Sequence, residues 1–299
     1  MEKSPRISFY DQISRNKWKS FFLIVIIFLV FILIGYIITL VADPSYFFFI
    51  MIAAIIISII YVLASYYNSD KIALASVKAV PAPQAQFSQY HDTVEGLCLA
   101  SGLPKPKLYV MQNSGINAFA SGRDPNHSVI CVTTGALQKL NKQELEGVLG
   151  HEMSHIASYD IRFMTLVAVM VGMIAIISEL FLRSMWFRGG DRDDRGNGIL
   201  ILIGIILAIL APIAVQLVQL AISRKREYVA DASAVKFIRS PTGLINALKK
   251  ISAEQAPEKQ NISKAVAPLF ISDPFRKRIE NILSTHPPLQ KRIEILERM

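Results

Sequence analysis

A chain of 299 residues is long enough for one large or two modest domains. Its residues are 52% hydrophobic and only 18% charged, and the apolar ones gather in runs, which excludes an ordinary water-soluble enzyme and fits a membrane protein. A net charge of +9 raises nucleic acid as a partner, but no aromatic-basic motif supports it, and basic residues beside apolar runs fit the cytoplasmic face of a bilayer.

Residues 1–20 carry Lys3, Arg6, Arg15, Lys17 and Lys19 against Glu2 and Asp11. Phe21 to Val41 then runs without a charge, long enough to cross a hydrocarbon core of about 30 Å. A signal peptide has a shorter apolar region ending in a small-residue cleavage site, whereas this run leads into Asp43-Pro44, so it reads as an uncleaved anchor. Asp43-Pro44-Ser45 makes a tight turn, and a second uncharged run, Tyr46 to Asn68, completes a hairpin. Residues 1–68 are therefore a basic N-terminus and a first transmembrane hairpin. The basic end places both outer ends of that hairpin in the cytoplasm.

Residues 69–160 are globular in composition and form the N-terminal part of a catalytic domain. Ser88 to Ser101 reads as an amphipathic helix that Pro104 and Pro106 break. Lys107–Met111, Asn117–Ala120 and Val129–Thr133 read as three strands, each bounded by turn residues. Cys98 and Cys131 lie apart with no Cys-x-x-Cys spacing, fitting a reducing compartment and apolar roles. His91 and His127 lie outside any ligand spacing and read as surface or capping residues.

A short helix, Ala136 to Leu140, leads to a second one that opens on Asn141, with Glu144 at the third position as a capping box. That helix carries His151-Glu152-Met153-Ser154-His155. At i and i+4, the two imidazoles leave one face and can take adjacent corners of a Zn²⁺ tetrahedron, while Glu152 is placed as a base rather than a ligand.

Residues 161–222 read as a second hydrophobic hairpin. Phe163 to Leu182 is apolar except for Glu179, and Ile199 to Ile222 is uncharged with a kink at Pro212. Arg183, Arg188, Arg192 and Arg195 in the connecting loop run against the positive-inside tendency, so the hairpin either crosses the bilayer or lies in its interface. Glu179 either lines a substrate path or snorkels at a helix end. Either geometry returns the chain to the same side.

Residues 223–299 supply the C-terminal part of the catalytic domain, with helices expected over 244–253, 274–283 and 289–299. Glu227-Tyr228-Val229-Ala230-Asp231 follows the basic cluster Arg224-Lys225-Arg226. Glu227 completes a His₂Glu ligand set with His151 and His155, and Asp231, one turn on, is placed to accept a hydrogen bond from a ligand imidazole, His151. The alternative is that both acids balance the neighbouring arginines at the membrane surface.

Taken together, Asn117-Ala118-Phe119-Ala120, Thr133-Thr134-Gly135-Ala136-Leu137, the His151-to-His155 motif, Glu227-to-Asp231 and Thr285-His286-Pro287-Pro288 with Arg292 resemble the HtpX-type membrane zinc metallopeptidases, in one superfamily with the CAAX prenyl proteases. These pieces and the hydrophobic layout span nearly the whole chain. The resemblance implies an α-helical membrane protein with four hydrophobic spans and an α+β zincin-like (gluzincin) catalytic domain carrying a small sheet. It implies one Zn²⁺ per chain and a multi-pass place in the cytoplasmic membrane with the site facing the cytoplasm. The expected activity is hydrolysis of membrane-protein or unfolded polypeptide substrates in quality control. The lipid bilayer is a partner, nucleic acid is not, and a homo-oligomer is compatible with it.

Prenyl processing needs a larger membrane chamber than four spans provide, and a non-catalytic zinc-stabilised adaptor or chaperone would leave Glu152 without a task. The Asn117–Ala120 stretch is either an edge strand that aligns substrate through Asn117, Ala118 and Phe119, or a core strand with Phe119 buried. His286 on its proline-stiffened turn is an oxyanion donor, a movable fourth ligand or a helix cap, and Arg292 suits a bidentate contact to substrate.

Overall fold

The computed structural model of the chain describes residues 9–39, 44–171, 174, 204, 224–254, 269–271 and 287–299. The expected second hairpin (beyond residue 171, apart from residues 174 and 204), Glu179, the helix expected over 274–283 and His286 lie outside the described residues.

Helix α1 (Phe9–Thr39) starts well before the uncharged run, and helix α2 (Phe47–Tyr67) follows a single 3₁₀ turn, Pro44–Tyr46. Two stretches, Ile13–Tyr36 and Phe47–Tyr67, are long and apolar enough to cross a membrane. A buried core helix in a soluble protein passes the same length test, but these helices point their apolar side chains outward: Phe48 is 77% exposed, Phe49 74% and Ile60 61%. Such a surface is costly in water and is of the kind that lipid covers, which marks the chain as a membrane protein. The two helices approach closely where Gly35 meets Ala54. These are two of the four expected spans; the other two lie outside the described residues.

The opposite stripe of α1 is buried. Leu23, Ile27 and Val30, spaced three and four apart, pack against Phe163, Leu166, Val167 and Met170 on the helical stretch 160–171. The first membrane helix is thereby held against the segment that continues from the His-Glu helix.

Helix α3 (Ser69–Ser76) connects the hairpin to a four-stranded mixed sheet: β1 (Val80–Pro81), β2 (Lys107–Met111), β3 (Ala118–Asp124) and β4 (His127–Thr133), in the order β1-β2-β4-β3. The short β1 has no sequence signal, since two residues carry no period; it is held by antiparallel pairing to Tyr109 and Val110. β2 runs parallel to β4 with Tyr109 opposite Cys131, and β3 pairs antiparallel with β4 with Phe119 opposite Cys131. Helix α4 (Ser88–Ser101) covers the sheet and stops at Gly102, whose φ of 72° supplies the left-handed C-terminal turn.

Helix α5 (Thr134–Lys139) is capped by Thr133, whose hydroxyl accepts from Ala136 N–H. Helix α6 (Lys142–Ala157) has the expected capping box: Asn141 Oδ1 accepts from Glu144 N–H at 2.9 Å, and the Glu144 carboxylate accepts from Asn141 N–H at 2.8 Å. Among the described residues the later helices are α7 (Arg224–Ile238), α8 (Thr242–Ala253) and α9 (Leu289–Leu296). One core joins both parts of the catalytic domain: Val94, Ile130, Val148 and Leu149 pack with Leu244, Leu248, Ile293 and Leu296.

Glycines set how closely these helices approach. A Cβ on Gly147 would lie 2.4 Å from the backbone N of Leu244 and 2.7 Å from its Cα, so α6 and α8 touch backbone to backbone. Gly147→Ala must push α8 away, and we expect it to destabilise the protein by about 1–3 kcal/mol, the usual overpacking cost. Thermal unfolding in detergent checks this; an unchanged midpoint would mean that α8 yields freely.

Candidate metal centre

Helix α6 presents His151 and His155 on one face, and a second close approach places α7 across it. A Cβ on Gly150 would meet Ile238 Cδ1 at 2.8 Å and Ala234 Cβ at 3.5 Å, so α7 lies close across this face and the Ile238 side chain would have to turn to admit a larger residue. Glu227, in the first turn of α7, then stands over the two rings. The structure brings His151, His155 and Glu227 together, all buried, with one potential ligand atom of each within 4.8 Å of the others.

The edges of this triangle suit a metal. His151 Nε2 and His155 Nε2 are 3.2 Å apart, His151 Nε2 to Glu227 Oε2 is 3.5 Å, and His155 Nε2 to Glu227 Oε1 is 3.6 Å. Ligand atoms at about 2.0–2.1 Å from a tetrahedral ion lie roughly 3.3 Å from one another. The outward nitrogens agree with this. His151 Nδ1 is 2.9 Å from Asp231 Oδ1, and His155 Nδ1 is 3.2 Å from Asp160 Oδ2. Each Nδ1–H donates to a carboxylate, which leaves both Nε2 lone pairs converging on one point. The residues present therefore fit a divalent cation.

Burial and the Arg292 guanidinium press the His151 pKa down, but Asp231 and Glu227 outweigh them and lift it to about 9. Burial also opposes ionisation of Asp231, yet Arg292 and His151 hold its carboxyl below the usual range. The same contest at Asp160, between burial and the groups His155, Arg226 and Ser158, ends with its carboxyl below the usual range too.

Glu152 sits beside the pair, buried, on the next position of α6. Burial raises its pKa, while the two imidazoles and the Ala120 backbone N–H favour its ionised form. Among the described residues its Oε1 has no hydrogen-bond partner. A buried carboxylate oxygen left open next to a cation site is a poor structural group and a suitable proton acceptor.

Two sequence readings are corrected. Arg292 is expected at a substrate; it is instead wholly buried and forks onto Asp231, with Nη2–Oδ1 at 2.6 Å and Nε–Oδ2 at 2.9 Å. It also lies 3.5 Å from Glu227 Oε2 and donates to Ile271 O at 3.4 Å. Its Nη2 stands 3.3 Å from His151 Nδ1, but both nitrogens are donors when Nδ1 bears hydrogen, and the shorter bond to Asp231 decides that it does. The guanidinium turns inward because two buried carboxylates outcompete anything at the surface.

Phe119 is expected at a substrate in one of the two readings of its strand; its ring is fully buried and meets the Phe270 ring edge-on at 5.0 Å. β3 is at the edge of the sheet, but Phe270 bridges to Phe119 and Ile271 N–H donates to Ala118 O at 3.0 Å, so part of that edge is already covered. Asn117 is buried just ahead of β3, its backbone N–H on Thr133 Oγ1. His91 Nε2 meets Ala82 O and His127 Nδ1 meets Asp124, both remote from the centre.

Sequence reasoning missed Asp160, Arg226 and Asn16. Asp160 lies five residues after His155, past the end of α6, where helical spacing no longer predicts a shared face. A carboxylate at the start of an apolar run is the one signal that could have singled it out.

Residues 84–299 match the family model described as Peptidase family M48. The chain is 44% identical over 293 residues to a protein named "Protease HtpX homolog" from Caldanaerobacter subterraneus subsp. tengcongensis, covering 96% of this chain and 97% of that one. It is 43% identical over 297 residues to a protein of the same name from Thermoanaerobacter pseudethanolicus, covering 98% of each. A crystal structure of S. mikatae Ste24p aligns with a TM-score of 0.48 at 20% identity, over 90% of this chain; the chain spans 61% of that one's length.

Proposed function

The chain belongs to peptidase family M48, among its HtpX-type proteases, and from that membership we propose a zinc-dependent endopeptidase of the cytoplasmic membrane that cleaves misassembled membrane proteins and unfolded polypeptides. The observation that carries the reading is the convergence of His151 Nε2, His155 Nε2 and Glu227 on one point, at separations of 3.2, 3.5 and 3.6 Å, with Glu152 beside it.

In this reading His151, His155 and Glu227 hold one Zn²⁺, and three protein ligands leave the fourth position open, as a catalytic site requires. Bound there, zinc supplies Lewis acidity, polarising a peptide carbonyl and making water a nucleophile at neutral pH. Glu152 accepts the proton of the attacking water on its open oxygen and passes it to the leaving amine. Asp231 and Asp160 keep each Nδ1–H outward, so both rings present the correct nitrogen.

Ala118 offers its carbonyl at the sheet edge for pairing with an extended substrate, which would take the place of residues 269–271; Asn117 stands beside it, tied to Thr133, and Phe119 contributes packing. His286 keeps its sequence assignment as an oxyanion donor, a movable ligand or a helix cap. The basic residues at the N-terminus and at Arg224-Lys225-Arg226 support a site on the cytoplasmic side.

The test is casein cleavage by the full chain in detergent. Chelator should abolish it and added Zn²⁺ restore it. Glu227→Ala should lower bound zinc below one per chain under dilute chelator. Cleavage that ignores chelation, or full zinc in Glu227→Ala, would remove the centre from the reaction.

A further inference from the structure

Asp160 is the carboxylate behind His155, and its two oxygens have separate tasks. Oδ2 faces His155 Nδ1 at 3.2 Å and accepts from Ser158 Oγ at 2.9 Å. Oδ1 accepts from Asn16 Nδ2 at 2.7 Å and from Arg226 Nη1 at 3.4 Å. Asn16 lies on α1, the first membrane helix, 144 residues away in sequence.

Asn16 is only 2% exposed, although its neighbours Arg15 and Lys17 are open to solvent. The same amide nitrogen that meets Asp160 also donates to Ser158 O at 2.9 Å. Ser158 is the C-cap of α6, and the chain turns there through Tyr159, whose φ of 59° is left-handed. One NH₂ group thus uses both hydrogens, one on the carboxylate and one on the carbonyl that fixes where that carboxylate starts. Lys17 lies over the Tyr159 ring at 4.5 Å, so the same turn of α1 clamps the reversal from a second side.

We propose that Asn16 is a positioning residue of the metal centre, acting through Asp160 on His155, so that the first membrane helix is part of the frame that holds the metal. Without the amide, Oδ1 keeps the longer Arg226 contact alone among the described residues, the carboxylate gains freedom about its terminal torsion, and the aim of Oδ2 at Nδ1 loosens. This rests on His155 being a metal ligand. The geometry does not need Asn16 for packing: Leu23, Ile27 and Val30 already seat α1 on the 160–171 stretch.

The experiment measures Zn²⁺ release to a chromophoric chelator, and thermal midpoint, for the full chain in detergent. Asn16→Ala is compared with wild type, with His155→Ala, and with Leu23→Ala, which loosens the same helix without touching Asp160. Asn16→Ser, which keeps a donor too short to span both partners, serves if the alanine variant does not fold.

Loss of a residue behind a ligand weakens metal binding roughly 10- to 100-fold, and Asn16, one contact further out, should sit near the lower end, about tenfold faster release. Leu23→Ala should lower the midpoint and leave release unchanged. Wild-type release from both Asn16 variants, with zinc lost in His155→Ala, overturns the inference alone. Equal acceleration in Asn16→Ala and Leu23→Ala also overturns it, since packing then explains both. Wild-type protein that holds no zinc, or unaltered zinc in His155→Ala, overturns the metal-centre reading and the inference with it.

Discussion

Glu152→Gln should leave zinc bound near one per chain and reduce peptide hydrolysis by a factor on the order of 10² to 10⁴, the range of a lost general base. Glutamine matches glutamate in size and helix propensity, so α6 and its capping box should persist. The metal-facing atoms belong to His151, His155 and Glu227, and none changes. What changes is the open oxygen, Glu152 Oε1: the substituted amide can no longer take a proton. A further effect works in the same direction. Glu152 is one of the buried acids around the centre, and removing its charge leaves the cation with less compensation. Zinc retention should therefore fall slightly rather than rise. Metal content by elemental analysis and casein cleavage on the same preparation separate the two effects. Full cleavage by Glu152→Gln would end the assignment of base, whatever the metal does.

Sequence made legible whatever is local or periodic. The capping box at Asn141 and Glu144, helix α4 at Ser88–Ser101, strand β2 at Lys107–Met111 and the two faces His151/His155 and Glu227/Asp231 all depend on offsets of two to four residues. The convergence of α6 and α7 was legible for a different reason: the sequence between them reads as one hydrophobic hairpin, which would return the chain to its starting side. Pairings with no period were illegible. Asn16 to Asp160 joins residues 144 apart, and Arg292 to Asp231 joins residues 61 apart. In each case a buried polar group needed a partner, and many side chains in the sequence could have served. Arg292 reads as a substrate contact because its fork suits a bidentate partner, whereas the two buried carboxylates beside it compete for that fork more strongly than anything in solvent. The closing of the β3 edge by Phe270 and Ile271 was hidden similarly, since three residues do not announce a strand.

The two imidazoles are buttressed in the same way from opposite ends of the chain. Behind His151 stands Asp231, held by Arg292 near the C-terminus; behind His155 stands Asp160, held by Asn16 near the N-terminus. Arg226 ties the second buttress to the helix that bears Glu227, its guanidinium also lying over the Phe163 ring at 5.4 Å. In the proposed centre, metal geometry would then depend on both α1 and α9 having docked.

Arg292→Met should be among the most destabilising single substitutions in the protein, and more so without metal than with it. The guanidinium is wholly buried, forks onto Asp231 and lies near Glu227. Methionine fills much of the volume but leaves Asp231 a buried carboxylate without its counter-charge, a change that costs about 3–5 kcal/mol. A bound divalent cation offsets part of this, because it sits among the same acids. Chelation should therefore lower the thermal midpoint of Arg292→Met more than that of wild type, although the variant contains every proposed ligand. Arg292→Lys should fall between the two: it keeps the charge but cannot make both bonds of the fork. Differential scanning fluorimetry of detergent-solubilised protein, with and without chelator, gives the four midpoints needed for the first comparison. Equal chelator shifts in wild type and Arg292→Met would show that Arg292 stabilises the fold independently of the centre. A wild-type midpoint in the methionine variant under both conditions would mean that Asp231 is not carrying a buried charge at all.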